Sequence, residues 1–358
     1  MSTVLSLRTV GFRNLADAET AAPGKDIFLV GENGQGKTNF LEALYFCSYA
    51  SSFRGVRDSE LVRSGEKDCA VSLKSDSVLH SDIAVTCKAG KKTVLIDGKK
   101  IEDRKELLSA CPAIVFCHED MEFVSGSPER RRWFFDQSLS LYDPLYVDDL
   151  RRYKQVLKTR NALLKDGGNL SLLDAIDPQL AQYGLLLMEK RSQAAEKFSF
   201  VFEPLFREVT GIDGVVVRYA PSWKEPSLEA LVGLLAQRRE GDLFHALTLS
   251  GPHRDRYLFS RKGLDFSGRA STGQRRLLAL LLRVSQAQRF SEMTGQRPVL
   301  LLDDVLLELD GEKRKRFLEN MPSYDQAFFT FLPGEPYQAY RKPDTVVYTV
   351  EGGALTPA

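Results

Sequence analysis

Tryptophan occurs twice, histidine four times and cysteine five times, and no charge sign dominates, since 49 Lys and Arg stand against 48 Asp and Glu. Cys47, Cys69, Cys87, Cys111 and Cys117 are odd in number and show no C-x-x-C spacing. That pattern excludes a disulfide framework or zinc ribbon and reads as buried or idle thiols in a reducing cytoplasm. No apolar run approaches the roughly 18 residues of a membrane span; Leu277–Leu282 is cut by Arg283. Arg8 and Arg13 lie in a strand-like segment and do not precede a signal-peptide core. A formal charge of +1 excludes a bulk field that gathers nucleic acid, so a DNA contact needs a local patch. No internal repeat or low-complexity tract is present.

With 358 residues the chain exceeds one ordinary hydrophobic core, which predicts a main domain and a second lobe. Its apolar and charged fractions, 43% and 27%, are those of a globular protein. Leu5, Leu7 and Val10 alternate roughly as a strand, and Gly11-Phe12-Arg13-Asn14 turns. Ile27–Val30 reads as a buried strand and Asn39–Tyr49 as a helix. Val71–Leu73, Ile83–Cys87 and Thr93–Ile96 read as antiparallel strands with a hairpin turn at Asp97-Gly98, and Ala113–Phe116 as another strand.

From about residue 128 the period changes from two to about 3.6. Helices are predicted from Pro128, over Pro144–Leu164 with a stop at Lys165-Asp166-Gly167-Gly168, and from Pro178 (capped by Asp177) to Glu203, where Pro204 breaks it. Another spans Ser227–Arg239. Strands then return as a hairpin of Arg256–Phe259 and Leu264–Phe266. The helix Gly273–Phe290, the strand Val299–Asp303, the helix Gly311–Asn320 and the strand Ala327–Phe331 follow. The expected plan is an α/β domain from residues 1–125 and 250–358, split by a mainly helical lid at 126–249. Trp133 and Trp223 read as core.

Gly31-Glu32-Asn33-Gly34-Gln35-Gly36-Lys37-Thr38 spells G-x-x-x-x-G-K-T between an apolar strand and a helix, the context that this phosphate loop requires. Its backbone N–H groups wrap a triphosphate, Lys37 reaches the β- and γ-phosphates, and the Thr38 hydroxyl holds Mg2+. Leu300-Leu301-Leu302-Asp303-Asp304 reads as a central strand ending in carboxylates. Asp303 is expected in the Mg2+ shell and Asp304 at the attacking water. Ser271-Thr272-Gly273-Gln274 opens a helix shortly before that strand. In ATP-binding-cassette (ABC) ATPases S-x-G-Q holds this position, and its serine and helix N-terminus bind the γ-phosphate carried by the opposite subunit. The fold class expected is therefore an ABC-type P-loop ATPase head, a mixed sheet with flanking helices, carrying an inserted helical lid. Arg54 either reaches a phosphate or lies on the surface, while His253-Arg254-Asp255 reads as a loop salt bridge. Basic clusters at Arg130–Arg132, Arg151–Lys154 and Lys88/Lys91/Lys92/Lys99/Lys100 read as solvated faces before DNA contacts.

Taken together the chain resembles the RecF family of bacterial recombinational repair proteins, cassette-type ATPases related to SMC heads. The resemblance rests on Phe12-Arg13-Asn14, the continuation Thr38-Asn39-Phe40-Leu41-Glu42-Ala43, Ser52-Phe53-Arg54, Glu119-Asp120 and Gly126-Ser127-Pro128. It continues through Arg131-Arg132-Trp133-Phe134-Phe135-Asp136, Gly251-Pro252-His253-Arg254-Asp255, Ser271–Gln274 and Glu308-Leu309-Asp310. Three positions depart from the family pattern: His118 replaces Pro, Arg256 an Asp, and Leu307 a small polar residue. The resemblance implies a protein that binds ATP with Mg2+, counts Arg13 and Arg54 among its nucleotide residues and dimerises on ATP. It further implies binding to double-stranded DNA near single-strand gaps and, with RecR and RecO, help in loading RecA. Turnover is expected to be slow, because Asp304 stands where cassette ATPases often carry Glu.

Three other readings compete. An SMC-like chromosome-organising head needs arms hundreds of residues long, whereas the longest expected helix has about 26 residues and spans about 39 Å. A transporter subunit usually carries a His after its last strand, where Thr330 stands here. A DNA-binding scaffold with a dead site would lack phosphate release.

Overall fold

In the computed structural model, which describes residues 3–77, 79–167, 169–225, 227–306 and 309–358, the strands gather toward both ends of the chain. The first stretch forms β1 (Val4–Val10), β2 (Ala18–Ala21), β3 (Asp26–Val30), α1 (Lys37–Tyr49), β4 (Cys69–Ser75), β5 (Asp82–Lys88), β6 (Lys91–Ile96), β7 (Lys99–Lys100), α2 (Arg104–Ala110) and β8 (Ala113–Phe116). The middle forms α3 (Glu122–Ser125), α4 (Pro128–Ser140), α5 (Pro144–Lys165), α6 (Leu170–Thr210), β9 (Val215–Ala220), α7 (Leu228–Gln237), α8 (Arg239–Phe244), β10 (Arg256–Arg261), β11 (Leu264–Asp265) and α9 (Thr272–Thr294). The last stretch forms β12 (Val299–Leu302), α10 (Gly311–Glu319), β13 (Ala327–Phe331), β14 (Thr345–Glu351) and β15 (Ala354–Pro357). Gly168, Leu307 and Glu308, used above, lie outside the described residues.

Packing divides the chain into two compact units, Met1–Asp120 with Gln286–Ala358, and Met121–Ser285. The expected domains were cut elsewhere, at 125/126 and 249/250. Residues 250–285 group with the second unit because β10 pairs along its whole length with β9, a Val-rich strand that the sequence reading missed.

The first unit holds two sheets. One is antiparallel in the order β2-β1-β4-β5-β6-β7. The other runs β15-β14-β3-β13-β12-β8, with parallel pairing from β14 to β8. Between them lies α1, whose Phe40, Leu41 and Leu44 share one core with Ile27 and Leu29 of β3 and with Val71, Leu73, Ile83 and Val85 of the antiparallel sheet. The expected alternation in β1 needs correction. Val4 and Leu7 face the core, while Leu5 is 50% exposed. A register irregularity between Val4 and Ser6 shifts the facing set by one residue, and a one-residue slip exchanges the two faces. All five cysteines are free and buried.

In the second unit α5 and α6 pack around Tyr146, Tyr153, Leu180, Leu187 and Trp223. Trp133, expected in the core, is instead 42% exposed and stacks on Phe123. The expected helix over residues 178–203 also needs correction, because α6 runs unbroken for 41 residues through Pro178 and Pro204. A mid-helix proline costs about 3 kcal/mol. Leu173, Leu180, Leu187, Phe198, Phe202 and Phe206 are buried along the helix on both sides of the prolines, and each such side chain contributes roughly 1.5–3 kcal/mol. Packing therefore outweighs both breaks. Asp177 caps nothing: its carboxylate accepts from Arg160 at 2.7 Å and from Arg239 at 2.8 Å, while Asn169 provides the cap.

Candidate nucleotide site

Three strands of the parallel sheet converge on one corner of the first unit. β3 ends at Val30 and passes into Gly31, β12 ends at Leu302 before Asp303, and β13 carries Thr330 between them. The turn after β3 depends on glycine at Gly34 and Gly36, whose φ values of +80° and +117° are disfavoured for side-chain-bearing residues. Clasps on its outer side fix the loop. The Gly352 and Gly353 N–H groups donate to Gln35 Oε1 at 2.6 Å and Gln35 O at 2.8 Å, and Asn14 Nδ2 donates to Gly34 O at 3.0 Å. With these groups held from outside, the N–H groups that open α1 stay available for an anion. Lys37 is buried, and its ammonium donates to Gly31 O at 2.6 Å and Glu32 O at 3.1 Å, at the mouth of the loop.

Residues 38 and 303 meet directly. The Thr38 hydroxyl donates to Asp303 Oδ1 at 2.8 Å. Burial pushes the Asp303 carboxyl up to about 6, the Thr38 hydrogen bond opposes this, and the neighbouring Asp304 charge adds to it. Asp304 adopts a left-handed backbone with φ of +52°, and its N–H donates to Thr330 Oγ1 at 2.8 Å. Thr330 in turn donates to Asp304 Oδ1 at 2.7 Å. Thr330 Oγ1 also lies 3.3 Å from Asp303 Oδ1, so both carboxylates gather on this one hydroxyl of β13.

A hydroxyl and one carboxylate are the hard oxygen donors that Mg2+ takes from a protein, with phosphate and water completing the octahedron. Thr38 and Asp303 fit the ion.

Two residues that sequence reasoning gave no role complete the corner. Glu42, on α1, has no exposed side-chain surface and receives Arg13 in a bidentate pair at 2.9 and 3.1 Å. It also accepts from Ser52 Oγ, and Arg54 lies 3.9 Å away. Arg13 itself has φ of +48°, so the turn that presents it is strained and held by this pair. The signal was in the chain, since an acid on an apolar helix must find a cation. Glu335 is the second. Burial raises its carboxyl, and the Asp304 and Lys37 charges act on it in opposite senses.

Ser271, Gly273 and Gln274 fall in the second unit. Ser271 N–H donates to Gln274 Oε1 at 2.9 Å and Gln274 N–H donates to Ser271 Oγ at 3.2 Å, a reciprocal cap at the start of α9. In the same unit Asp255 is buried against Arg191 at 2.9 Å, in line with the salt-bridge reading. Arg131 and Arg132 are half-buried, each with a partner in the same unit. Arg131 lies over Phe259 and donates to Val124 O, while Arg132 donates to Asp255 O. Lys88, Lys91, Lys99 and Lys100 are exposed, but Lys92 is tied to Asp58 and Ala50 O.

The model of the RecF/RecN/SMC N-terminal domain matches residues 3–346. The chain is 45% identical to the DNA replication and repair protein RecF of Treponema pallidum (strain Nichols), covering 97% of this chain and 99% of that protein. Against the protein of that name from Anaeromyxobacter sp. (strain Fw109-5) identity is 33%, with 99% of both chains covered. A solved structure of the recombination mediator protein RecF with ATP, from the RecFOR pathway, superposes with a TM-score of 0.89 at 30% identity, over 100% of this chain and 98% of that one. The Smc head domain of Pyrococcus furiosus, at 15% identity and a TM-score of 0.57 over 100% and 96% of the two chains, shares the fold alone.

Proposed function

Because this chain belongs to the RecF family of ABC-type ATPases, we propose that it is an ATP-driven DNA clamp of recombinational repair. In this reading two copies close on ATP around duplex DNA at single-strand gaps and help load RecA together with RecR and RecO. The observation that carries it is the Thr38–Asp303 hydrogen bond, which joins a phosphate loop to a metal carboxylate 265 residues away.

The nucleotide lies on Gly31–Thr38, with Lys37 turning from its two carbonyl partners to the β- and γ-phosphates. Mg2+, held by Thr38 and Asp303, neutralises phosphate charge when bound. Asp304, oriented by Thr330, holds the attacking water. Glu42 keeps Arg13 and Arg54 beside the loop. In C2 symmetry Ser271, Gly273 and Gln274 of a second copy close over the γ-phosphate, so association depends on ATP by linkage. Charge-assisted contacts of roughly 1.5–3 kcal/mol each, made twice, shift dimerisation by orders of magnitude. Closure aligns basic patches of both copies, which reconciles duplex binding with a net charge of +1. Slow, DNA-stimulated hydrolysis then reopens the clamp.

An SMC-like head would need a long arm. At 41 residues α6 spans about 60 Å and packs back on α5, far short of that length.

The deciding measurement is sedimentation and gapped-duplex binding with ADP and with a non-hydrolysable ATP analogue. Dimers and tight binding are expected with the analogue alone. Equal behaviour in both nucleotides would sink the clamp. The Lys37→Ala variant should lose at least tenfold in ATP affinity by calorimetry.

A further inference from the structure

The parallel sheet of the first unit has a second face. Ile27, Leu29 and Phe328 point into the core shared with α1, so alternation along β3 and β13 turns Phe28, Phe329 and Phe331 the other way. There they form an aromatic floor, with Phe28 edge-on to Phe329 at 5.4 Å and to Phe331 at 4.9 Å. α10 and the turn Tyr337–Tyr340 cover this floor, leaving Phe28, Phe329 and Phe331 at most 5% exposed, and a cavity of about 590 Å³ lies beside them, walled also by the half-buried Leu318, Met321 and Tyr340. That volume is in the range of pockets that enclose a ligand or a few large side chains.

The cavity opens toward Lys25 and Asp26, where β3 begins, and Arg297, ahead of β12. Leu306 and Phe331 line its other end, where the Phe331 carbonyl accepts the Gly31 N–H at 3.1 Å, so Lys25 and Arg297 mark the end away from the phosphate loop. Its rim carries Lys25, Arg297, Lys315, Arg341 and Lys342; Arg297 is paired with Asp325 at 3.1 Å and Lys315 lies 3.9 Å from Glu319. Asp26 is buried and already satisfied by Lys342 at 2.9 Å and the Tyr324 hydroxyl at 2.8 Å. Lys25 rests over the Tyr324 ring at 5.2 Å, and among the described residues neither it nor Arg341 has an ion pair.

We propose that this cavity docks an acidic peptide segment of a partner protein. One aromatic or branched aliphatic side chain enters the cavity against Leu318, Met321 and Tyr340, and flanking Asp or Glu residues meet Lys25 and Arg341 on the rim. The cations come from four separate segments around the mouth, which suits a chain crossing it better than one compact anion. A basic segment is repelled. A duplex has no apolar group to reach the floor.

A random 12-residue peptide library displayed on phage tests this against the immobilised full chain. Enriched peptides should place Phe, Trp, Tyr, Leu or Ile beside two or more acids. A fluorescein-labelled copy of an enriched peptide should then lose at least tenfold in affinity on Ser323→Trp, where a bulky group fills the mouth from an exposed position, and on Lys25→Glu. ATP affinity should stay unchanged in both variants, which separates failure here from failure of the ATPase reading. Enrichment of basic or acid-free peptides, no enrichment, or undiminished binding by Ser323→Trp overturns the proposal.

Discussion

Glu42 is a carboxylate without exposed surface that meets two guanidinium groups, so its removal strands charge and does more than delete a contact. Glu42→Ala should cost about 3 kcal/mol in chemical denaturation, since breaking one partner of a buried pair costs about that much. It should also weaken ATP binding, because Arg13 loses the group that holds its left-handed turn. Full ATP affinity in a destabilised variant would reduce Glu42 to a structural residue. Asp304 makes a different claim. Asp304→Asn keeps a hydrogen-bonding side chain for Thr330 but cannot take a proton from water. ATP should still bind, turnover should drop at least a hundredfold and closed dimers should accumulate; rapid phosphate release would remove Asp304 from the chemistry.

Among elements, α6 shows where reading a chain fails. Pro178 and Pro204 carry the local signals of a start and a stop, and the sequence alone cannot weigh them against burial on a partner surface it does not display. Strand β9 was missed for a related reason: six residues between helices mean little until β10 lies beside them. The C-terminal hairpin of β14 and β15, which clasps the phosphate loop, gave no motif at all. By contrast β3, α1, β12 and β13 were legible, because a phosphate loop and a carboxylate strand carry chemistry in fixed local patterns. Glu42 was legible as an acid on an apolar helix, but its partner lies on a turn 29 residues earlier that nothing local to the helix reveals. The turn after α8 yields its own prediction. His253 donates from Nε2 to Thr248 O at 2.9 Å and accepts the Tyr153 hydroxyl at Nδ1 at 2.7 Å, while burial lowers its pKa to about 4. The unfolded chain therefore binds the extra proton first. Stability from this group is full above about pH 6.5 and is lost as pH falls toward 4, by at most about 3 kcal/mol. His253→Gln should flatten that part of the pH–stability curve in thermal melts; an unchanged slope would assign the acid sensitivity elsewhere.

For the whole molecule, the proposed closed state is the property most open to attack. Ser271→Arg places a bulky cation at the start of α9 on an exposed cap, where folding should tolerate it. ATP binding by calorimetry should be retained and ATP-induced dimers in sedimentation lost. Dimers that survive would mean the serine-led helix does not seal the partner's nucleotide.

The position of β3 has a consequence for biosynthesis. This strand lies between β13 and β14, so its neighbours on both sides are translated some three hundred residues after it. A ribosome thus delivers the glycine turn early and the walls that shape it late. Pairing across such separations is slow, and the nascent chain exposes an unpartnered apolar strand for most of its synthesis. Newly made copies should depend on chaperone protection through that interval and gain nucleotide only once residues 299–351 have emerged.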